Sequence, residues 1–354
     1  MAFKLKPGIV TGTALTDLYD YCQEQTCALP AVNVIGSHSV NAALAAARDA
    51  KAPVIVQLSN GGAQFFGGKF LDKQSGGVAG AVAAAHYVRS IAEAYGVAVV
   101  LHTDHAAKKL IPWVEGMVEA GEAHFERTGE PLYSSHMLDL SEEPLEENLQ
   151  ISADMLTRLN KIDMGLEIEL GVTGGEEDGV DNSDLDDSKL YTQPSEVLAA
   201  YEKLQSVGPF SVAASFGNTH GVYKPGNVQL RPGILKDSQD AVAAKHGGGP
   251  KPLHFVFHGG SGSTPEEIAE AVSYGVVKMN IDTDTQWAFC HPIKAYMDEK
   301  DAYLQTQLGN PEGAELPNKK HIDPRGWVHL GEKGMRDRLV QAFRDLGAFG
   351  KFGS

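Results

Sequence analysis

The sequence around residue 258 reads Leu253-His254-Phe255-Val256-Phe257-His258-Gly259-Gly260-Ser261-Gly262-Ser263, an apolar strand that runs into a histidine and a glycine-rich turn. Aromatic and β-branched residues favour a buried strand, and glycines allow consecutive backbone N–H groups to be exposed in a tight turn. The next residues, Thr264-Pro265-Glu266-Glu267, predict a helix N-terminus with a capping box. Turn and helix together indicate a phosphate site, beside which His258 could hold a metal or move a proton. A core histidine followed by an ordinary loop is the alternative.

The same strand-then-helix unit recurs along the chain. Apolar runs predict eight strands, at 28–34, 52–59, 97–101, 132–140, 164–171, 211–216, 253–257 and 276–281. Helical spacing predicts the intervening helices, at 39–50, 78–95, 110–127, 144–161, 195–206, 234–244 and 265–274. Eight buried strands that alternate with helices predict an α/β fold, a (β/α)8 TIM barrel. An open doubly wound sheet is less favoured, because no dinucleotide-binding fingerprint follows the first strand and Phe70 stands where a P-loop needs Ser or Thr.

We expect residues 1–354 to form a single barrel domain with additions at both ends. The barrel core is predicted at 27–290, preceded by an extra helix at 13–22. Residues 291–354 are predicted to form a C-terminal helical extension, in which 310–330 is a long, polar, irregular loop and 335–346 is a helical tail.

Composition limits the classes of partner. A formal net charge of −16 argues against nucleic acid or an anionic membrane as partner, since both need a basic surface. No apolar run reaches the roughly 18 residues that span a membrane, and the N-terminus lacks the apolar core of a signal peptide, so we expect a cytoplasmic protein. Cys22, Cys27 and Cys290 are predicted to be reduced, packed thiols. An anionic substrate would need local positive charge from a metal, backbone N–H groups, or a few Lys and Arg side chains.

Polar residues cluster at the predicted carboxyl ends of the strands, where barrels carry their active sites. Five of the 13 histidines lie there: His102, His105, His136, His220 and His258. Three imidazoles with one open position are typical of a catalytic zinc site. Spacing does not choose among the five, and hydrogen-bonded histidines without a metal are the alternative.

Two further features have two interpretations each. The acidic, glycine-bounded segment 171–179 is either a solvated surface loop or a mobile loop that brings a carboxylate over the site as a general base. Lys278 has the strand parity of Asn280 and so points into the barrel. There it could form a Schiff base, or pair with an interior carboxylate such as Glu167 or Glu169.

Five motifs, in order and over nearly the whole chain, resemble class II fructose-bisphosphate aldolases, and specifically the long, zinc-dependent class IIA form. They are His102-Thr103-Asp104-His105, Leu166-Glu167-Ile168-Glu169-Leu170-Gly171 with Thr173-Gly174-Gly175-Glu176-Glu177-Asp178-Gly179, Phe216-Gly217-Asn218-Thr219-His220-Gly221, His258-Gly259-Gly260-Ser261-Gly262-Ser263 and Lys278-Met279-Asn280-Ile281-Asp282-Thr283-Asp284-Thr285. The resemblance implies a homodimeric lyase that reversibly cleaves fructose 1,6-bisphosphate to dihydroxyacetone phosphate and glyceraldehyde 3-phosphate, with zinc stabilising the enediolate.

The resemblance also implies roles for individual residues. Zinc would lie on His105, His220 and His258, with Asp139 and Glu169 at a second or alternative divalent-metal position and His102 and His136 in support. Asp104 would act as acid–base at the aldehyde oxygen, and Glu177 would take the proton from the ketone. The implied substrate contacts are Asn33, Ser59, Gly221, Gly259, Gly260, Ser261, Asn280, Ile281, Asp282, Thr283 and, from the partner subunit, Arg325. A monovalent cation, Na⁺ or K⁺, would be held near Thr219, Gly221, Gly259 and Ser261.

Three alternatives stay open on the sequence. Another ketose bisphosphate, such as the tagatose epimer, could be the substrate of the same zinc chemistry. Lys278 could support a metal-independent Schiff-base aldolase. The chain could also be a non-catalytic protein that binds sugar phosphates.

Overall fold

A closed parallel barrel forms the centre of the protein. The computed structural model describes residues 3–172, 176–177, 180–181, 191–218, 230–260 and 263–352. The barrel strands are β1 (Leu29–Asn33), β2 (Val54–Leu58), β3 (Ala98–Thr103), β4 (Ser135–Leu138), β5 (Gly165–Leu170), β6 (Phe210–Ala214), β7 (Phe255–Phe257) and β8 (Val276–Ile281). Each strand pairs in parallel with the next along the chain, and β8 returns to β1. The predicted eight-stranded TIM barrel is therefore confirmed.

Helices cover the outside of the barrel, as the alternating sequence pattern predicts. They are α1 (Thr13–Glu24), α2 (Ser37–Ala50), α3 (Asn60–Gly67), α4 (Lys73–Tyr95), α5 (Ile111–Thr128), α6 (Leu145–Asn160), α7 (Pro194–Leu204), α8 (Gly233–His246), α9 (Pro265–Ser273), α10 (Thr283–Glu299), α11 (Asp301–Leu304), α12 (Lys319–Ile322) and α13 (Pro324–Asp345). A short 3-10 helix occupies Lys108–Leu110. Two-residue strands lie at Gly8–Ile9, Glu176–Glu177 and Val180–Asp181.

The amino-terminal ends of the strands are covered by α1, the extra helix that the sequence predicts. Leu15 and Tyr19 of this helix line a cavity of about 20 Å³ together with Ser135 and Gly165, the first residues of β4 and β5. Because α1 blocks this end, a substrate has to reach the barrel interior from the carboxyl ends of the strands.

The predicted irregular loop at 310–330 is wrong. The segment contains an antiparallel hairpin, Leu308–Asn310 with Gly313–Pro317, and α13 begins at Pro324 rather than near Met335. Asp323 caps α13 by accepting a hydrogen bond from the backbone N–H of Arg325. Helix α10 also crosses the predicted core boundary at residue 290. The C-terminal extension is thus more regular than its polar composition suggests.

All three cysteines are free thiols, as predicted. Cys22 and Cys27 are buried, whereas Cys290 on α10 is exposed, so the expectation that it is packed is wrong. Within the described ranges, no helix has the length and apolarity required to cross a membrane.

Candidate active site

The carboxyl ends of the strands bring seven of the predicted polar side chains to one mouth. Each lies at the end of a strand or in the loop that follows it, because parallel strands all end on the same side of the barrel. The residues are Asn33 on β1, Asp104 and His105 after β3, Asp139 after β4, Glu169 on β5, His258 after β7 and Asn280 on β8. Polar residues at the carboxyl ends of the strands in the sequence therefore predict which side of the barrel carries the polar cluster.

Two imidazoles and two carboxylates form the centre of this cluster. His105 Nδ1 lies 3.1 Å from Asp139 Oδ2 and 3.2 Å from Glu169 Oε2. The same Glu169 oxygen lies 3.2 Å from His258 Nδ1, and the two imidazole centroids are 4.4 Å apart. Glu169 thus bridges the two histidines, although they come from strands that are far apart in sequence.

Asp104 is held from two sides by amides. Its Oδ2 accepts a hydrogen bond from Asn33 Nδ2 at 2.8 Å, and its Oδ1 accepts one from Asn280 Nδ2 at 3.0 Å. Asn33 is held in turn by Gln57 Nε2, which donates to Asn33 Oδ1 at 2.5 Å. Asp104 is almost fully buried, so this network fixes the carboxylate in one orientation.

The pKa values of these groups reflect burial opposed by charge. Burial would raise the pKa of Asp104, but positive charge on His105 and Lys278 lowers it to about 2. For Glu169 burial is likewise outweighed, by His105 and His258, which hold its pKa well below the usual value. Burial and His105 oppose protonation of His258, yet Glu169 and Glu167 raise its pKa. Asp104 and Glu169 are therefore ionised at neutral pH.

A second polar layer lies deeper in the barrel. Glu167 Oε1 lies 2.8 Å from Lys278 Nζ and 2.9 Å from His258 Nε2, and Glu167 Oε2 lies 3.4 Å from His102 Nε2. His102 Nδ1 contacts Ser135 Oγ at 2.8 Å. Of the two interpretations of Lys278, the structure shows the pairing with an interior carboxylate.

The two supporting histidines face groups other than the mouth carboxylates. Thr103 Oγ1 contacts His136 Nδ1 at 2.8 Å. Burial lowers the pKa of His136 to about 3 and that of His102 to about 4, so both imidazoles are neutral at physiological pH.

The donor set at the mouth suits a divalent metal. Asp104, His105 and His258 can each offer a ligand atom such that the three atoms lie within 4.8 Å of one another, and His105, Asp139 and Glu169 form a second such group. Imidazole nitrogens and carboxylate oxygens are ligands for zinc and other first-row divalent ions. Three carboxylates meet at the mouth, those of Asp104, Asp139 and Glu169, and Glu167 lies in the layer below them. Lys278, which is bonded to Glu167, is the one ammonium that the described residues bring to these four carboxylates. This excess of negative charge favours a cation.

The glycine-rich turn begins as the sequence predicts. Gly259 has a φ of 61°, a left-handed conformation that favours glycine, and Gly260 packs so closely on Met279 that a Cβ atom there would overlap the Met279 Cε. Thr264 then caps α9 in a capping box with Glu267. The described part of the turn therefore has the glycine conformation and the helix N-terminus that the sequence predicts, and its role as an anion cradle stays a prediction.

Four of the other predicted substrate contacts lie at or directly after the carboxyl ends of β2 and β8. Ser59 caps α3 and accepts a hydrogen bond from the Gly62 N–H at 3.1 Å. Ile281 ends β8, Asp282 is the cap residue of α10, and Thr283 is the first residue of that helix. Arg325 lies at the start of α13 with its side chain 88% exposed and paired with Asp323.

Several predicted residues lie outside the described ranges. They are Thr219, His220, Gly221 and Ser261. For Glu177 the structure describes the backbone, which pairs with Val180 in a two-stranded ribbon. The third imidazole, the monovalent-cation contacts and the general base therefore stay predictions.

Comparison with known proteins identifies the family. The model of class-II fructose-bisphosphate aldolases matches residues 13–351. The chain is 58% identical over 345 residues to "Fructose-bisphosphate aldolase" of Edwardsiella ictaluri, covering 97% of this chain and 96% of the relative. It is 56% identical to "Fructose-bisphosphate aldolase class 2" of Escherichia coli K12, covering 97% of each chain. The chain belongs to the class II fructose-bisphosphate aldolase family.

Solved structures agree with this assignment to the class II aldolases. The crystal structure of fructose-bisphosphate aldolase from Campylobacter jejuni matches with a TM-score of 0.89 and 53% identity, covering 98% of both chains. The structure of a putative fructose-1,6-bisphosphate aldolase from Coccidioides immitis matches at 22% identity with a TM-score of 0.67, which shows the shared fold.

Two residues of the site, Gln57 and Asn218, have roles that the sequence did not predict. Gln57 holds Asn33, and its signal is a lone polar residue in the otherwise apolar strand β2. Asn218 Nδ2 donates to the His258 carbonyl at 2.9 Å, so it fixes the backbone of that histidine. The signal for Asn218 in the sequence is its place in the Phe216–Gly221 motif, two residues before His220.

Proposed function

We propose that this chain catalyses the reversible aldol cleavage of fructose 1,6-bisphosphate to dihydroxyacetone phosphate and glyceraldehyde 3-phosphate. The convergence of His105, His258, Glu169 and Asp104 at the barrel mouth, in a chain of this family, is the observation that carries the proposal. The mouth combines a donor set for a Lewis-acid metal with a buried, ionised carboxylate for proton transfer.

The metal assigned to this site is zinc. His105, His220 and His258 would hold it, and Asp139 and Glu169 would serve a second or alternative divalent position. When bound, such an ion polarises a carbonyl oxygen and stabilises negative charge that develops on it. The second position is supported by His105, Asp139 and Glu169, whose possible ligand atoms lie within 4.8 Å of one another.

The protein supplies the proton transfers. In the condensation direction Glu177 takes the carbon-bound proton of dihydroxyacetone phosphate, and that carbon forms the new bond to the aldehyde carbon of glyceraldehyde 3-phosphate. Asp104 is ionised in the free protein, so in this direction it takes up a proton from solvent and gives it to the aldehyde oxygen, which becomes a hydroxyl group. In cleavage both carboxylates act in reverse. The amides of Asn33 and Asn280 support the role of Asp104, because they leave the carboxylate one orientation.

Substrate phosphates are assigned to the glycine turn and to the start of α10. Gly221, Gly259, Gly260 and Ser261 would bind one phosphate through the turn, with Asn280, Ile281, Asp282 and Thr283 beside them and Asn33 and Ser59 as further substrate contacts. A monovalent cation, Na⁺ or K⁺, near Thr219, Gly221, Gly259 and Ser261 would add positive charge. The left-handed Gly259 supports this assignment, since it allows backbone N–H groups to turn toward an anion.

The active unit is proposed to be a homodimer in which Arg325 reaches the second phosphate in the partner subunit. Arg325 is exposed, and the acceptor that the described residues give its guanidinium is Asp323. Large apolar side chains are also exposed, with Trp287 at 67% and Leu71 at 51%. Exposed apolar area of this kind favours association. Free cysteines support a reducing compartment, which we propose is the cytoplasm.

The Schiff-base alternative requires Lys278 to attack a ketone. Its ammonium is instead buried and bonded to Glu167 at 2.8 Å, so the amine is neither exposed nor free. If Lys278 did carry the reaction, borohydride added with substrate would trap a covalent adduct on the protein. We expect no adduct.

A pair of assays tests the proposed function. The protein should cleave fructose 1,6-bisphosphate, and the tagatose epimer more slowly, in a coupled assay. Glu177→Ala should lower the turnover number by about 10²–10⁴-fold, the usual contribution of a general base, while the zinc content stays unchanged. Unchanged turnover in Glu177→Ala would instead favour a non-catalytic sugar-phosphate-binding protein.

A further inference from the structure

We propose that Glu167 is a positioning residue for the metal ligand His258, and that Lys278 in turn holds Glu167 in place. The inference rests on the proposed function, because it takes His258 as a metal ligand. It adds a role for two buried charged residues that neither touch the substrate nor belong to the ligand set.

The geometry around Glu167 leaves its carboxylate no freedom. Oε1 accepts from His258 Nε2 at 2.9 Å and from Lys278 Nζ at 2.8 Å, while Oε2 faces His102 Nε2 at 3.4 Å. The side chains of Glu167, His258, Lys278 and His102 are each exposed by 2% or less. A buried carboxylate that accepts two hydrogen bonds on one oxygen cannot rotate without losing them.

The contact selects one tautomer of His258. A metal ligand must be a neutral imidazole with hydrogen on one nitrogen, and of the two nitrogens that face a carboxylate, Nε2 has the shorter contact, 2.9 Å to Glu167 against 3.2 Å from Nδ1 to Glu169. The hydrogen therefore lies on Nε2, and the lone pair lies on Nδ1. Glu167 thus turns the metal-binding nitrogen of His258 toward His105, whose ring centroid is 4.4 Å away.

The surroundings of Nδ1 agree with this assignment. Nδ1 lies 3.2 Å from Glu169 Oε2, so a lone pair would face an acceptor oxygen. Two acceptors at this distance repel one another unless a proton or a cation lies between them. By holding the hydrogen of His258 on Nε2, Glu167 therefore favours a cation between His258 Nδ1 and Glu169 Oε2.

A matched pair of double variants isolates the hydrogen bond from the buried charges. Lys278→Met with Glu167→Gln (the Gln pair) and Lys278→Met with Glu167→Leu (the Leu pair) both remove one ammonium and one carboxylate. The Gln side chain keeps an oxygen that can accept from His258 Nε2, whereas Leu has a similar volume and no acceptor. We expect the Gln pair to bind zinc within a fewfold of wild type and the Leu pair to bind it about 10–100-fold more weakly. The measurement is zinc affinity in competition with a chromophoric chelator.

Proton NMR of the cobalt-loaded protein gives a signature that a purely structural role would not change. The Nε2–H of a ligand imidazole gives a shifted, exchangeable resonance. We expect the His258 resonance to persist in water in the wild type and in the Gln pair. In the Leu pair it should broaden or disappear through exchange with solvent.

Three further variants separate the outcomes. His258→Ala should lose tight zinc binding; if it does not, the proposed metal centre fails, and this inference fails with it. Tyr133→Phe removes a buried hydrogen bond to the Ala81 carbonyl and should leave zinc affinity unchanged. Glu167→Asp keeps the charge but withdraws the carboxylate by one methylene, so it should weaken zinc binding even if the Leu pair does not fold. If His258→Ala loses zinc while Glu167→Asp or the Leu pair binds it as tightly as wild type, the positioning role is wrong and the metal centre stands.

Discussion

Two polar layers of the barrel interior lie two residues apart on the same three strands, and they differ in charge balance. Residues two apart on a strand face the same side, so each strand contributes one side chain to each layer. The inner residues are His102, Glu167 and Lys278, and the outer residues, at the mouth, are Asp104, Glu169 and Asn280.

The inner layer is balanced and the outer layer is not. Lys278 compensates Glu167 directly, at 2.8 Å. At the mouth, Asp104 and Glu169, together with Asp139, meet imidazoles and amides but no ammonium among the described residues. Buried charges of the same sign repel one another, so an excess of carboxylates is stable where a cation supplies the opposite charge. The comparison indicates that the inner layer supports the structure and the mouth carries out the chemistry.

The largest expected effect comes from the mouth. Asp104→Ala should lower the turnover number by about 10²–10⁴-fold, because it removes the proposed acid–base group at the aldehyde oxygen. Its melting temperature should change little, since the loss also relieves an excess of negative charge. Asn33→Ala, which removes one of the two amides that hold this carboxylate, is the control and should cause a smaller loss. Steady-state kinetics and thermal unfolding, measured on the same preparations, test whether a change at the mouth lowers the turnover number without lowering the melting temperature.

A change in the inner layer should affect stability first. Lys278→Met leaves Glu167 buried without its ammonium and should lower the free energy of unfolding by about 3–5 kcal/mol. Urea unfolding measures the loss, and adding Glu167→Gln in the same chain should recover most of it by removing the second charge. If Lys278→Met were as stable as wild type, the two layers would not differ in the way proposed.

A third change strains the mouth without altering its charge. Gly260→Ala places a methyl group against Met279 and should lower the free energy of unfolding by about 1–3 kcal/mol. Combining it with Met279→Ala should cost less than the sum of the two single changes, because the second substitution removes the obstacle. Additive losses, measured by urea unfolding, would mean that the contact does not limit the position of the turn.

Much of the fold follows from local sequence signals. All eight strands were predictable because parallel strands that are covered on both sides are mostly apolar. The capping box at Thr264 also gave the start of α9 at the correct residue. These signals are strong because each depends on residues that are adjacent in the sequence.

The errors come from glycines that serve close packing. Helix α4 begins at Lys73, five residues before the predicted start at 78, and α13 begins at Pro324. A Cβ atom on Gly67 of α3 would overlap the Gly76 carbonyl of α4, and one on Gly334 of α13 would overlap the Ala288 carbonyl of α10. A glycine that allows two helices to approach resembles a loop glycine in the sequence. Its role appears only when its partner helix is known.

The candidate site was predictable in its position but not in its detailed arrangement. Strand ends placed His105, Asp104 and His258 at one mouth, yet spacing could not say which imidazoles meet. The bridging position of Glu169 and the hold of Glu167 on His258 depend on side-chain distances between β5 and β7. Those distances are set by barrel closure, which no single segment of the sequence encodes.

The most direct test of a metal-dependent mouth is fructose 1,6-bisphosphate cleavage by protein that has been depleted of metal with a chelator and then supplied with zinc. The account predicts loss of cleavage on depletion and its return as zinc approaches one ion per chain. Full-rate cleavage by the metal-free protein would contradict it.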